Sequence, residues 1–377
     1  MACVLNENKT AEYNFIFYST EKDNIVILQE NGINAEYIKI NQFDRILAYL
    51  KTVKVIRFFI NSIKLKLDLV FSKQDIDLVY FLTQSSLYRY LNDHNFIYTL
   101  WDLCHRDYPE FPEVSLNNEF YSREEHLLKL LPRATNIFTE SELGKQNVIR
   151  RYGIDNNRVT VMPMVPSRST EISEKWPEDD HISIKEKYSL KNEYIFYPAQ
   201  FWSHKNHIYI LEGIKILKEE FNISLDVIFS GSNKGNQRYI EKTAEEFGII
   251  NQLNCIGFVE NKEIPYLYKQ ALALVMPTYF GPSNIPPLEA SLYKCPIIYS
   301  DLDGLNEQMK NKALFIDLKN PRSLSENLIK IIKNDEEVNK LILNAYESII
   351  SSDTSEHWRK VKQVFDDYRI IQKTWKY

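Results

Sequence analysis

Short apolar runs alternate with longer amphipathic stretches along most of the 377-residue chain. In the first half, the apolar runs predict strands, and the stretches whose apolar positions recur at helical spacing predict helices. The predicted strands are Tyr13–Tyr18, Ala35–Ile40, Leu78–Leu82, Phe96–Trp101, Asn136–Thr139 and Val159–Met162, and the predicted helices lie at Gln42–Phe71, Glu119–Leu131 and Glu142–Tyr152.

The pattern stops over Pro163–Lys187, where prolines, a Ser/Thr cluster and mixed charge predict a linker. It then resumes. The second half predicts strands at Tyr194–Ala199, Leu225–Ser230, Leu253–Gly257, Leu272–Met276, Pro296–Tyr299 and Ala313–Ile316. Its predicted helices are His207–Phe221, Arg238–Phe247, Ile264–Ala271, Pro286–Leu292, Leu305–Lys310, Pro321–Lys333, Glu336–Ile350 and the charged tail Ser355–Lys376.

This alternation is typical of mostly parallel sheets with helices on both faces, an α/β class. A chain of this length exceeds one ordinary core, so we expect two Rossmann-like, doubly wound domains. The expected boundaries are residues 1–187 and 188–353, followed by a carboxyl-terminal helix over 354–377 that crosses back to the first domain. A ligand cleft is expected between the domains, at the carboxyl ends of the strands.

Composition and charge exclude several classes of function. Hydrophobic residues make up 44% and charged residues 26%, as in ordinary globular proteins, and the net charge of −5 argues against nucleic-acid binding. The four cysteines form no CxxC pair and have no metal-type spacing, so we expect reduced thiols of a cytoplasmic protein and no metal site. No apolar run reaches the length that spans a membrane.

One stretch has the opposite charge to the chain. Between Phe43 and Lys73 seven bases accompany two acids, with Phe58, Phe59 and Ile63 interleaved. A basic, aromatic-rich amphipathic helix fits the anionic inner face of a membrane. The alternative is an ordinary surface helix whose apolar stripe packs inward.

The segment "FGPSNIPPLEA", Phe280–Ala290, joins a predicted strand to a predicted helix. Amides of Ser283, Asn284 and Ile285 at the helix start would attract phosphate oxygens. Glu289, one turn later, can accept hydrogen bonds from the vicinal hydroxyls of a ribose. The alternative is a capped helix with an acid that stabilises its dipole.

Four other strand ends carry candidate chemistry. "YPAQFWSHKNH" brings Lys205 near a helix start, where it can reach phosphate, although a solvated surface lysine is the common alternative. "FSGSNKGN" and "IGFVENKE" are loops that can border a nucleobase pocket. His105 follows the strand in "TLWDLCHRDYPEFPE" and is predicted to lie on a loop, as a candidate for acid–base work or a hydrogen bond to a sugar.

Taken in order, these motifs with "RATNIFTESELGK" and "PIIYSDLDGLNEQ" resemble the retaining GT-B glycosyltransferases of glycosyltransferase family four. The similarity is greatest to mannosyl- and rhamnosyltransferase-like members that build surface polysaccharides. It extends over about residues 96–350 and is strong from Tyr194 to Asp317. The resemblance implies two domains facing across a cleft, with the second binding a GDP-, UDP- or TDP-linked sugar and the first receiving a glycan or lipid-linked acceptor.

The resemblance also implies residue roles. His105 would lie beside the donor sugar, Lys205 would neutralise the diphosphate, and Glu289 would hold the ribose. The remaining expected donor-binding residues are Gln200, Gly231, Val259, Gly281, Ser283, Asn284 and Ile285. The family normally needs no divalent metal or other cofactor.

Three departures from the family pattern stand out. Gly281 lies eight positions before Glu289, where the family has a first glutamate, and Gln200 replaces a common arginine. The amino-terminal glycine-rich loop has no counterpart, since Gly32 is the only glycine before residue 140. A late native start or a lost first strand would explain this third departure.

The leading hypothesis is a retaining enzyme that transfers a sugar to a growing cell-surface glycan, of O-antigen, capsule or lipopolysaccharide type. The departures motivate an alternative, a degenerate relative that binds nucleotide sugar or a partner without turnover. A third hypothesis is a sugar-nucleotide epimerase with the same fold.

Overall fold

The structure is a computed structural model that describes residues 1–10, 12–51, 53–60, 62–165, 182–352 and 354–375. Within these residues the strands form two larger parallel sheets and one small parallel pair. In the part described, no helix is long and apolar enough to cross a membrane.

The first half of the chain contains strands β1 to β6. Their bounds are Phe17–Ser19, Ala35–Tyr37, Val79–Phe81, Phe96–Leu100, Asn136–Thr139 and Val159–Val161. β1 pairs with β2, and β3, β4, β5 and β6 form a four-stranded sheet in that order. Apolar residues of β1 and β2 share a buried cluster with Ile97 and Phe138 of β4 and β5, so the two sheets pack around common residues.

The second half contains strands β7 to β12, which form one six-stranded parallel sheet. Their bounds are Tyr194–Pro198, Asp226–Ser230, Leu253–Gly257, Ala273–Met276, Ile297–Ser300 and Leu314–Ile316. The order in space is β12-β11-β10-β7-β8-β9. The chain therefore reverses its direction of travel across the sheet between β7 and β10, and such a switch point leaves a crevice at the carboxyl ends of the strands.

Helices cover these sheets. In the first half they are α1 (Ala2–Glu7), α2 (Lys22–Glu30), α3 (Gln42–Leu50), α4 (Lys54–Ile60), α5 (Lys66–Lys73), α6 (Cys104–Asp107), α7 (Pro112–Ser115), α8 (Glu119–Leu130) and α9 (Glu142–Tyr152). The second half has α10 (Ile184–Lys187), α11 (His207–Phe221), α12 (Gln237–Glu246), α13 (Ile264–Lys269), α14 (Pro286–Leu292), α15 (Asp303–Met309), α16 (Arg322–Ile332), α17 (Glu336–Ile350) and α18 (Thr354–Gln372).

Local chemistry explains several boundaries. Ser141 caps α9 by accepting a hydrogen bond from the Gly144 amide at 3.0 Å, and Gly153 ends this helix in the left-handed conformation. α14 begins with Pro286 and Pro287, which suit a first helical turn because proline has no N–H to leave unpaired.

Some predicted elements were wrong. The helix predicted over Gln42–Phe71 is three helices, α3, α4 and α5, and the strand predicted at Tyr13–Tyr18 begins only at Phe17. Helices α1 and α2 were not predicted. Most of the predicted linker, residues 166–181, lies outside the described residues.

The carboxyl-terminal helix α18 packs on the first half of the chain. Val361 is fully buried in the cluster that contains Phe17 and Ile97, and the Tyr368 hydroxyl donates to the Asp77 carbonyl at 2.9 Å. We propose that the chain divides near residue 187 into two domains and that α18 belongs structurally to the first.

Candidate functional site

Two loops meet at the switch point of the second sheet. One follows β7 and contains Lys205, and the other follows β10 and runs from Tyr279 to Ile285. They are joined directly, because the Tyr279 amide donates to the His204 carbonyl at 3.0 Å. The fold therefore brings together the two segments that were predicted separately to meet a diphosphate.

Lys205 is half-buried at the end of a short 3-10 turn, and the Tyr197 hydroxyl donates to its carbonyl at 3.0 Å. Burial lowers the pKa of its ammonium group to about 8, although Cys104, Asp102 and Glu113 act in the opposite direction. The ammonium stays largely protonated at neutral pH. Because burial partly removes the ammonium from water, its attraction to a diphosphate is stronger than at a fully exposed position.

In the loop before α14, one of the three amides predicted to bind phosphate is already bonded within the protein. The Asn284 amide donates to the Gln308 side chain at 3.0 Å, and the Asn284 side chain donates to the Tyr299 hydroxyl at 2.6 Å. The Asn284 amide is therefore committed within the protein. Pro286 and Pro287 contribute no N–H, which leaves the Ser283 and Ile285 amides as the candidates from the predicted set.

Glu289 lies in α14 and is half-buried. The Tyr268 hydroxyl donates to its Oε2 atom at 2.9 Å. Burial raises the pKa of the carboxyl above its ordinary value, while the bond from Tyr268 acts in the opposite direction. Tyr268 fixes one oxygen, and the other is the candidate acceptor for a ribose hydroxyl.

The remaining predicted donor residues follow β7, β8 and β9. Gln200 is exposed, and its Oε1 accepts a hydrogen bond from the Trp202 indole at 2.9 Å. A Cβ atom on Gly231 would lie 2.5 Å from the Ala199 carbonyl oxygen, so glycine allows these two strand ends to meet. Val259 is buried.

His105 lies in α6 rather than on a loop, and it is fully buried. Its Nε2 atom lies 2.6 Å from Glu124 Oε1, and Arg106 and Tyr152 donate to the same carboxylate. Burial lowers the pKa of the imidazole, and nearby Arg123 lowers it further. Direct contact between His105 and a donor sugar stays a prediction, and this buried placement does not support it.

The first domain closes onto the second through contacts around the switch point. Glu113 of α7 accepts a hydrogen bond from the His204 amide at 2.9 Å. Within the second half, the His204 ring stacks on Phe280 with centroids 4.2 Å apart. The Ser283 hydroxyl donates to Glu140, which directly follows β5. Burial raises the pKa of Glu140 to about 8.

A cleft of about 460 Å³ lies between the domains. Among the predicted site residues, Gly281 lines it. Its walls also contain polar and aromatic residues that sequence reasoning did not select, Trp101, Asp102, Asp107, Tyr108, Arg150, Arg151, Tyr279 and Asp301. Asp102 is the first residue after the predicted strand Phe96–Trp101. Its place at the carboxyl end of a strand is the sequence signal that could have identified it.

Metal binding was not expected. Among the described residues there is no cluster of three or more His, Cys, Asp and Glu side chains that could hold a metal ion. The Cys104 thiol is buried, burial raises its pKa, and its sulfur accepts a hydrogen bond from the Gly281 amide at 3.3 Å.

Comparison with known sequences finds similarity to glycosyltransferases over part of this chain. Residues 179–348 match the family described as Glycosyl transferases group 1. The chain is 22% identical over 225 residues to O-antigen chain mannosyltransferase B of Escherichia coli, an overlap of 59% of this chain and 58% of that protein. It is 24% identical over 198 residues to O-antigen chain mannosyltransferase RfbU of Salmonella typhimurium, an overlap of 52% of this chain and 51% of that protein. The chain thus spans about half the length of the curated relatives it matches.

Solved structures agree on the fold. A glycosyltransferase from Rickettsia africae superposes with a TM-score of 0.71 at 13% identity, covering 98% of this chain and 93% of that one. Anabaena Alr3699/HepE, solved in complex with UDP, superposes with a TM-score of 0.64 at 13% identity, covering 91% and 88%. The resemblance drawn from the motifs is confirmed: this chain has the GT-B fold, and its residues 179–348 match the glycosyl transferases group 1 family.

Proposed function

We propose that this protein is a retaining glycosyltransferase that moves a sugar from a nucleotide-diphosphate sugar to a growing cell-surface glycan. The observation that carries the proposal is the meeting of the Lys205 loop and the Tyr279–Ile285 loop at the switch point of the second sheet. The names of the O-antigen relatives support the acceptor class.

The residues suggest a division of labour. Glu289 holds the ribose through the oxygen that Tyr268 leaves available. The Lys205 ammonium and the Ser283 and Ile285 amides face the diphosphate, with Gln200, Gly231 and Val259 bordering the nucleotide. Because negative charge grows on the diphosphate as the sugar leaves, a fixed cation there stabilises the transition state more than the ground state. The catalytic role predicted for His105 stays a prediction, because its ring is fully buried beside Glu124.

The reaction we propose keeps the anomeric configuration through attack on the same face that the diphosphate leaves. No divalent metal is included in this scheme, since Lys205 and the loop amides would stabilise the negative charge of the leaving group. This assignment is tested by adding a chelator to the transfer assay.

The first experiment is calorimetry of the protein with UDP, GDP and TDP and their sugar conjugates, with no metal added. We expect one base to bind. Glu289→Ala should weaken that binding by about 10- to 100-fold, the worth of about 1.5–3 kcal/mol for a hydrogen bond to a charged group. Glu326→Ala, at an exposed position on α16, is the matched control. Unchanged affinity in Glu289→Ala would contradict the ribose assignment.

Turnover separates the enzyme from a binding module. The expected outcome is release of nucleotide diphosphate, slow without an acceptor and faster with one, and Lys205→Ala should lower the rate more than donor affinity. Tight binding without release would favour the degenerate alternative. Interconversion of free sugar nucleotides would favour the epimerase.

We also propose that the first domain contacts an anionic membrane through α3, α4 and α5. The predicted inward stripe exists, because Leu47, Ala48 and Leu65 form a small buried cluster. A second apolar set is nevertheless exposed, with Phe58 83% and Phe59 77% accessible. Such a patch beside basic residues suits an interfacial position.

The charge of this surface is smaller than the sequence count indicated. Lys51 is buried and its ammonium donates to the Ile63 carbonyl at 2.6 Å, so it is not available to lipid. Arg45, Lys64 and Lys73 are exposed. The side chains of Lys54 and Arg57 lie outside the described residues.

Flotation with liposomes that contain phosphatidylglycerol tests this surface. The double variant Phe58→Ser, Phe59→Ser should lose about tenfold or more in bound fraction, since each aromatic side chain contributes on the order of 1.5 kcal/mol or more of burial. Tyr239→Ser, an exposed aromatic position on α12, is the control. Equal flotation of all three proteins would mean that the patch does not meet lipid.

A further inference from the structure

The loop from Tyr279 to Ile285, called the donor loop below, has Gly281 at the position where the family has its first glutamate. Gly281 has a φ of +98°, and a Cβ atom there would lie 3.1 Å from the Ser283 carbonyl oxygen. An acidic side chain at this position would be strained. The Gly281 amide donates to the Cys104 sulfur at 3.3 Å. The first domain therefore directly contacts the donor loop at Gly281, where a glutamate would lie in the family.

A different carboxylate lines the same cleft as Gly281 and Cys104. Asp102 is two residues before Cys104 and lines the same cleft of about 460 Å³ as Gly281. Its side chain is 28% exposed. Arg123 donates to its Oδ1 atom at 2.8 Å, and the Cys104 amide donates to the same atom at 2.9 Å. These two bonds fix the carboxylate and do not involve Oδ2.

The charge state of Asp102 suits a hydrogen-bond acceptor. Burial alone would raise the pKa of this carboxyl, but the charge and hydrogen bond of Arg123, with the Cys104 amide, hold the pKa below its ordinary value. Asp102 is therefore ionised at neutral pH. A fixed carboxylate in a partly desolvated cleft forms strong hydrogen bonds with hydroxyl groups.

The other acids of the cleft are less suited to this task. Asp107 is paired with Arg151, and Asp301 accepts a hydrogen bond from the Asn306 side chain. Asp301 and Asp303 are exposed at the opposite wall. Asp102 combines a fixed geometry with a position in the same cleft as Gly281.

We propose that Asp102 supplies, from the first domain, the carboxylate that the donor loop lacks at Gly281, and that it accepts hydrogen bonds from hydroxyl groups of the donor sugar. The inference rests on the proposed function, since it requires a nucleotide sugar in the cleft. It makes sugar recognition depend on contact between the two domains, because the nucleotide is held by one and the sugar by the other.

Paired calorimetry tests this inference. The probes are GDP and GDP-mannose, UDP and UDP-glucose, and TDP and TDP-rhamnose, with wild type, Asp102→Asn and the control Asp303→Asn. For the pair that wild type binds, Asp102→Asn should keep its affinity for the diphosphate and lose about 10- to 100-fold for the sugar nucleotide. Retained diphosphate binding also shows that the variant is folded. Asp303→Asn should match wild type for both probes.

Three outcomes would overturn the inference. The first is that Asp102→Asn binds sugar nucleotide as tightly as wild type, and the second is that wild type binds diphosphate and sugar nucleotide equally. Either result removes the sugar contact and leaves the proposed function standing. Wild type that binds none of the six probes would overturn the proposed function and this inference together.

Discussion

At the scale of single residues, Gly231 shows how the site depends on close backbone approach. A Cβ atom there would meet three backbone atoms of Ala199 and Gln200 at 2.5–2.8 Å, and the residue has a φ of +146°. Gly231→Ala should lower the free energy of unfolding by about 1–3 kcal/mol, because backbone has to shift. Gly235→Ala is the control, since Gly235 also has a positive φ but has open space around it. Urea unfolding of both variants measures the difference, and equal losses would contradict the steric argument.

Glu140 gives a prediction about pH. Burial raises its pKa from the ordinary 4.5 to about 8, so the folded protein keeps a proton that the unfolded chain loses. The contribution of Glu140 to the free energy of unfolding is therefore largest at acidic pH. It falls as the pH rises from about 5 to 8 and does not change above about pH 8. Glu140→Gln keeps a neutral side chain beside Ser283 and should abolish that decline. Melting temperatures of wild type and variant across this range measure it, and parallel curves would contradict it.

At the scale of elements, a residue of the second domain caps a helix of the first. The Glu307 carboxylate on α15 accepts hydrogen bonds from the amides of Glu142 and Leu143 at 2.7 and 3.2 Å, at the start of α9. Such a cap contributes on the order of 1 kcal/mol. Glu307→Gln should weaken domain closure and increase the radius of gyration in small-angle scattering. Glu326→Gln, exposed on α16, should not change it. Identical scattering of both variants would show that the cap is not needed for closure.

The elements also show how far sequence reasoning reaches. Strands Asn136–Thr139 and Leu253–Gly257 and helices Glu142–Tyr152 and His207–Phe221 match the prediction residue for residue, because their apolar periods and caps are local. The break between α4 and α5 is not local. The Lys66 amide at the start of α5 donates to Asp44 of α3 at 3.1 Å, so a contact from another helix sets that boundary. No proline or glycine indicated it.

The candidate site likewise contains residues that local motifs predict and residues that only contacts between the domains reveal. Lys205, Gly281 and Glu289 could be selected because each follows a predicted strand in a motif with recognisable spacing. Asp102 and Glu140 gain their importance only from the opposite domain, through the contacts of Gly281 with Cys104 and of Ser283 with Glu140. Such contacts depend on how two sheets face each other, which periodicity does not encode.

At the scale of the whole molecule, α18 joins the end of the chain to its beginning. Val361 is fully buried with Leu5 and Phe17, and Tyr13 packs edge-on against Trp358 with ring centroids 5.8 Å apart. The first domain therefore includes the last helix in its core. Loss of this helix would remove apolar support from β4 and β5, the strands that precede Asp102 and Glu140.

Val361→Asp tests this arrangement. The substitution places an unpaired charge in the core of the first domain and should lower stability by about 3–5 kcal/mol. Ile370→Asp makes the same change at a 66% exposed position of α18 and should cost far less. Since Lys205 and Glu289 belong to the second sheet, Val361→Asp should keep nucleotide diphosphate binding while losing sugar transfer. Loss of diphosphate binding as well would mean that the first domain holds part of the nucleotide, and the division of labour across the cleft would need revision.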